Sequence, residues 1–253
     1  MNEGMILAAK RSHVKQIPNR SRQDVYQYFK FYIDKAIDAI REWENRVKPS
    51  NDLAHQLPIN NAKNIQGNKL YDAVITSPPY INAIDYVWAS KFELHWLGMV
   101  ANDRDRLNLY SQEIGTERLD KKECQEIGKT GNLYLDQLIE DIYYGRYYQA
   151  SKGQNKLRAR VVYQYFLDMK IHFQKSFICL KQGGFYCFSR GDINKICGVN
   201  IPVAQLLTEL ASEIGFRQNF QFHLLLKNRK LNLPRNVNWA GIIQLDTVVF
   251  LKK

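Results

Sequence analysis

Residues 71 to 80 read Tyr-Asp-Ala-Val-Ile-Thr-Ser-Pro-Pro-Tyr. An apolar strand, Ala73 to Ile75, runs directly into Ser77-Pro78-Pro79-Tyr80. Two consecutive prolines lock φ and remove two backbone N–H groups, so the turn is stiff and its carbonyls are free to accept. Ser77 adds a side-chain oxygen at the same point. Tyr80 adds an aromatic face on which a planar ring can stack. Together these residue types make a rigid acceptor pocket roofed by an aromatic, suited to gripping an exocyclic amine on a flat base. The same tetrapeptide could also be a plain strand-to-helix turn, because proline pairs punctuate chains.

The rest of the composition bounds the chemistry. The chain has 253 residues, 45% of them apolar, enough for one large α/β domain or one domain plus an insertion. No run of about 18 apolar residues is present, and the N-terminus lacks a signal pattern. A membrane span is therefore not expected, and the cytoplasm is the default location. Cys124, Cys179, Cys187 and Cys197 are widely spaced, which argues against a zinc site and against a disulfide framework. His13, His55, His95, His172 and His223 have no ligand spacing, so no metal is expected. A net charge of +11 fits a polyanionic partner.

Charge and aromatics also concentrate locally. Residues 142 to 167 contain no Asp or Glu but hold Arg146, Lys152, Lys156, Arg158 and Arg160 among Tyr143, Tyr144, Tyr147 and Tyr148. Basic groups neutralise phosphates and aromatics stack on bases, so this stretch is a candidate DNA contact. Lys227, Arg229, Lys230 and Arg235 form a second candidate. The alternative for the first is a solvated loop with its tyrosines packed beneath.

The elements that position these residues follow from periodicity. Helical spacing runs from Arg22 to about Val47, with Ser21 as N-cap. A short strand and turn is expected at 60–65, a strand at 71–76 and one helix over about 83–98. The polar middle carries helices near 117–128 and 132–143. A long helix follows over 158–180, then a strand at 185–189, a helix at 202–214, a strand at 216–226 and a last strand at 246–251. Domain boundaries are expected at 1–58, a basic segment with a helix, and 59–253, with 101–157 a DNA-contacting insertion.

At Ser77 to Tyr80 the chain resembles the S-adenosylmethionine-dependent DNA amino-methyltransferases, which methylate cytosine N4 or adenine N6. The resemblance continues through Ile81-Asn82-Ala83-Ile84-Asp85-Tyr86, Lys91-Phe92-Glu93-Leu94, Trp96-Leu97-Gly98 and Leu180-Lys181-Gln182-Gly183-Gly184. Gly198 to Ile201, leading into a helix that ends at Gly215-Phe216, is a further match; the likeness covers roughly residues 60 to 253. It implies Ser77, Pro78, Pro79 and Tyr80 as catalytic residues and DNA as substrate. Ser77 and the Pro78 carbonyl would accept the amine hydrogens, Pro79 would set the geometry, and Tyr80 would stack on a flipped base. Ser at the first motif position leans toward cytosine N4. Asn82, Asp85 and Tyr86 are candidates for the base pocket, although Asp85 reads equally well as a helix N-terminal carboxylate.

The family's Phe-x-Gly-x-Gly loop, which lets the backbone approach the cofactor, has no counterpart here. Asn60-Asn61 stands where members often carry Gly-Asp, so the S-adenosylmethionine contacts reduce to Asn61, Thr76 and Ser77. The resemblance therefore implies an α/β fold that is a partial Rossmann-like methyltransferase sheet, the catalytic half, with a helical N-terminal segment and a helical and loop insertion. The motif strand would have an open edge. A second polypeptide carrying the glycine-loop half would complete a split restriction-modification enzyme. A catalytically silent DNA-binding module derived from such an enzyme is the other reading.

Overall fold

The structure is a computed structural model that describes residues 7–10, 13–16, 25–47, 61–81, 85–120, 122–151, 153–226 and 245–253. The chain divides into two compact units, Met1–Pro58 and Ile59–Lys253. Within the first, strands β1 (Leu7–Lys10) and β2 (His13–Gln16) pair as an antiparallel hairpin. Helix α1 (Val25–Arg46) is exposed along the described part of its length. Its apolar spacing produces the helix predicted from Arg22 onward; the Ser21 cap lies outside the described residues.

The second unit is a mixed α/β assembly. Strand β3 (Tyr71–Thr76) leads into three short helices, α2 (Tyr86–Ala89), α3 (Lys91–Trp96) and α4 (Asp103–Gln112). Then come α5 (Leu133–Tyr143), the long α6 (Gln154–Cys179) and strand β4 (Leu180–Gly191). A hairpin of β5 (Ile193–Ile196) and β6 (Val199–Pro202) precedes α7 (Val203–Ile214). Strands β7 (Arg217–Leu225) and β8 (Leu245–Lys252) complete the unit. The main sheet has the order β3-β4-β8-β7, with β3 parallel to β4 and the other pairs antiparallel.

Local chemistry explains most boundaries. Asn102 and Asn132 cap α4 and α5 by accepting N–H bonds in the first turn. Gly215 at φ +118° ends α7. Gly184 lies where β4 passes closest to β3; an added Cβ would sit 2.9 Å from the Asp72 carbonyl oxygen. The core forms where α5, α6 and α7 bring Ile139, Ile142, Val162, Phe166, Phe173 and Leu207 against Tyr186, Phe188, Val249 and Leu251 of the sheet. Such close packing is why truncating one buried aromatic typically costs about 3–5 kcal/mol.

Several expectations need correction. The single helix over 83–98 is two short ones, because the chain bends at Ser90, which closes α2 and opens α3. The helix near 117–128 is replaced by one turn of 3₁₀ helix at Glu123–Gln125, and the helix of this region lies earlier, at α4. The short strand at 60–65 is a 3₁₀ turn, Ala62–Asn64, capped by the Asn61 side chain on the Lys63 N–H at 2.9 Å. Helix α6 begins before Arg158, and β4 is longer than 185–189 at both ends. The β5–β6 hairpin was not foreseen; its turn uses Cys197 and Gly198, both at positive φ.

Candidate functional site

Strand β3 delivers Ser77 to the rim of the sheet, where it is exposed, and buries Pro78. The Ser77 hydroxyl donates to the Ser189 carbonyl on β4 at 3.3 Å, so its lone pairs stay available to a ligand. Tyr80 is held from several sides. Its phenol donates to Asp246 Oδ1 at 3.2 Å, and its backbone N–H donates to the Tyr86 phenol at 3.3 Å. The Tyr86 N–H in turn donates to Glu113 Oε1 at 3.1 Å. Burial pushes the Glu113 carboxyl up from its ordinary range, against the opposing effect of that N–H. The four-residue turn is thus fixed to β4, β8 and the start of α2.

Beneath Tyr80 lies Arg190, fully buried, with its guanidinium carbon 4.3 Å from the Tyr80 ring centre and 5.4 Å from that of Tyr165. None of its three nitrogens has a hydrogen-bond partner, so among the described residues its charge is met by aromatic faces. The Tyr165 hydroxyl is also buried and has no partner among the described residues; burial pushes its pKa up while Arg190 pulls it down. Asn194 donates to the Ile81 carbonyl at 3.1 Å, and its side-chain oxygen lacks a partner among the described residues. Three unsatisfied polar side chains around one turn are an uncommon concentration, because buried polar groups are ordinarily paired.

The structure draws together Ser77, Pro78, Pro79, Tyr80 and Tyr86. Asp85 takes the helix-capping role: one oxygen accepts from the Trp88 N–H at 2.8 Å, and the other accepts from the Tyr110 phenol at 3.2 Å with Arg118 3.7 Å away. Asn82 lies outside the described residues, as do Lys152, Lys227, Arg229, Lys230 and Arg235. Of the cofactor-side residues, Thr76 is half-buried at the end of β3, while Asn61 caps its 3₁₀ turn. That turn is pinned elsewhere. His172 Nδ1 meets the Ala62 carbonyl at 2.8 Å and its Nε2 meets the Tyr186 phenol at 2.7 Å. Burial holds the His172 imidazole below its ordinary pKa.

The basic stretch is differently organised. Arg146 pairs with Asp141 at 2.7 Å and Arg158 with Glu117 at 2.7 Å. Lys156 donates to the Gln125 side chain at 2.8 Å, and Arg160 lies over the Tyr163 ring at 4.9 Å. Tyr144 and Tyr147 remain exposed. Arg190, Asp246, Glu113, Tyr165 and Asn194 escaped the sequence reading. One signal for Arg190 was available: it continues the alternation Tyr186, Phe188, Arg190 on the core-facing phase of a strand.

No family model matches the chain. It is 29% identical over 187 residues to the Type II methyltransferase M.AvaI of Nostoc sp. (strain PCC 7120 / SAG 25.82 / UTEX 2576), covering 72% of this chain and 38% of the relative. The M.AvaI of Anabaena variabilis gives the same values. The Type II methyltransferase M.BsoBI of Geobacillus stearothermophilus is 26% identical over 225 residues, 81% of this chain and 43% of the relative. Among solved structures, a Thermus thermophilus protein described as a DNA modification methylase aligns at a TM-score of 0.27, with 11% identity, 35% of this chain and 36% of that one. Its complex with S-adenosyl-L-methionine aligns at 0.29, with 12% identity, 38% and 40%. In sequence, then, this chain is similar to Type II methyltransferases and spans about two fifths of the length of the curated relatives it matches.

Proposed function

We propose that this chain is the catalytic part of a DNA amino-methyltransferase, acting on the exocyclic amine of a flipped base, with cytosine N4 favoured over adenine N6. The observation that carries the reading is the Ser77–Tyr80 turn, fixed at the end of β3 with the Ser77 hydroxyl exposed and Tyr80 braced by Asp246 and Tyr86. Similarity to Type II methyltransferases supports it.

In this mechanism the Ser77 hydroxyl oxygen and the Pro78 carbonyl accept the two amine hydrogens. The amine lone pair is delocalised into the base ring, and these bonds draw the nitrogen toward tetrahedral geometry. Tyr80 stacks on the base through the face that Arg190 does not occupy. Such stacking is worth about 1–3 kcal/mol. S-adenosylmethionine supplies the methyl group as a sulfonium. The described residues offer it little beyond Thr76 and Ser77, since the Asn61 oxygen is already engaged. The main part of its site is therefore assigned to a second polypeptide, as the sheet of a partial Rossmann-like half implies. The exposed Tyr144 and Tyr147, with Lys156, are the better placed of the DNA contacts.

The test is methyl transfer from labelled S-adenosylmethionine to bacterial DNA, with this chain alone and with the product of an adjacent gene, followed by nucleoside analysis. Transfer only in the mixture is expected, with label in N4-methylcytosine. Transfer by the chain alone would refute the need for a partner. DNA binding without transfer in either sample would point to the silent module.

A further inference from the structure

The two faces of the main sheet are treated differently. On one, Tyr186, Phe188, Val249 and Leu251 are fully buried beneath α6 and α7. On the other, register places Ile75 of β3, Phe185 of β4, Phe250 of β8 and Phe220, Phe222 and Leu224 of β7 side by side. These side chains stay open to solvent: Ile75 is 76% exposed, Phe220 48% and Phe222 43%. The rings form a continuous band. Phe220 stacks on Phe250 at 4.2 Å and 15°, and Phe222 and Phe185 flank Phe250 at 6.4 and 6.3 Å. Contiguous apolar surface of this kind marks an interaction site.

The band runs into a second unfinished feature. Among the described residues strand β3 has one sheet neighbour, β4, and pairs with it in parallel. Among the described residues no strand pairs with its other edge, beside Ile75, and parallel pairs are ordinarily covered on both faces. An occupant that satisfies both must bring a strand for the edge and an apolar surface for the face. That describes a folded polypeptide. Phosphate backbone is a poor fit to the centre of the face, which presents phenylalanines; its basic groups, Lys252 and the paired Arg217, sit at one rim. The similar methyltransferases carry more than half their length outside the match, which is ample for such a piece.

We infer that the Ile75–Phe185–Phe250–Phe220–Phe222 face and the free edge of β3 together form the docking surface for the cofactor-binding half of the enzyme, held on a second polypeptide. This rests on the split-enzyme reading above and adds to it the surface used. The full chain is co-expressed with the product of the adjacent gene and the mass of the complex is measured by light scattering after gel filtration. Phe220→Ser with Phe222→Ser, and separately Ile75→Arg, are compared with Leu133→Ser, which alters an exposed leucine of α5. Both test variants change solvent-facing side chains, and unchanged circular dichroism and urea midpoint verify their folding. The expected result is a one-to-one complex for the parent and the α5 variant, and at least about tenfold weaker association for both face variants, as for aromatic interface anchors. If the complex forms, transfers methyl and is insensitive to both face variants, the docking surface is refuted while the split enzyme stands. Methyl transfer by the chain alone would overturn both. Self-association that the face variants abolish would replace the proposed occupant by a second copy of this chain.

Discussion

The turn at Ser77–Tyr80 and the basic stretch from Tyr143 to Arg160 both attract notice by residue type, yet they differ in how their polar groups are used. In the basic stretch Arg146, Lys156 and Arg158 are answered within the fold, although the Nε of Arg160 is buried without a hydrogen-bond partner among the described residues. Asp141 and Glu117 lie outside the acid-free window of 142–167 but reach back to Arg146 and Arg158. Around Tyr80 the reverse holds: Arg190, Tyr165 and Asn194 keep buried polar atoms without partners. One region commits its side chains to its own stability. The other holds polar groups at a cost, and the proposed site rests on that difference.

The sharpest way to break this contrast is Tyr80→Ala. In the assembled enzyme it should cut methyl transfer by about 5- to 150-fold, corresponding to roughly 1–3 kcal/mol of stacking, with the fold intact by circular dichroism. Full turnover would remove Tyr80 from the chemistry. Arg190→Met probes the stability side. Removing a buried charge without a hydrogen-bonded partner should leave the protein as stable or raise its free energy of urea unfolding by up to about 4 kcal/mol, while lowering transfer. A large destabilisation would show that Arg190 belongs to the scaffold.

Glu117→Gln should act in the opposite sense. It ought to cost about 1 kcal/mol in urea unfolding, because the Arg158–Glu117 pair is partly buried. Removing that negative charge beside Arg158 should tighten DNA binding at low salt and steepen its salt dependence by up to about one unit of slope. Unchanged DNA affinity would exclude Arg158 from the phosphate contacts. The smallest effect concerns His172. Its folded pKa is depressed by burial, so below about pH 6.5 the unfolded chain takes up a proton that the folded one refuses. Stability should fall as pH drops below that value, and replacing His172 by Asn should flatten this part of the urea-midpoint profile. An unaltered profile would locate the titration elsewhere.

Much of the secondary structure was legible because it rests on local periodicity and caps. The apolar rhythm of α6 and α7, the alternation in β4 and β8, and the Gly215 stop are all short-range. The failures share a cause. The helix expected over 83–98 breaks at Ser90, and 117–128 winds only briefly. The first is held by tertiary bonds such as Tyr86 to Glu113 and Asp85 to Tyr110, and the second by the Tyr143 phenol on the Gln125 carbonyl, which no window of sequence displays. The sequence around Asp85 fits either a pocket residue or a helix cap, and the bond from the Trp88 N–H makes it the cap of α2.

The sequence by itself determined the Ser77–Tyr80 turn, since strand, prolines and aromatic are contiguous and their effect on the backbone is local. It also determined the basic character of the chain and the absence of a glycine loop from its 253 residues. Tertiary structure alone decided what surrounds the turn, because Arg190, Asp246 and Glu113 come from β4, β8 and the end of α4, far apart in the chain. It likewise decided which face of the sheet is covered. Register converts alternating phenylalanines on three strands into one exposed band, and that depends on pairings between residues as distant as Ile75 and Cys187.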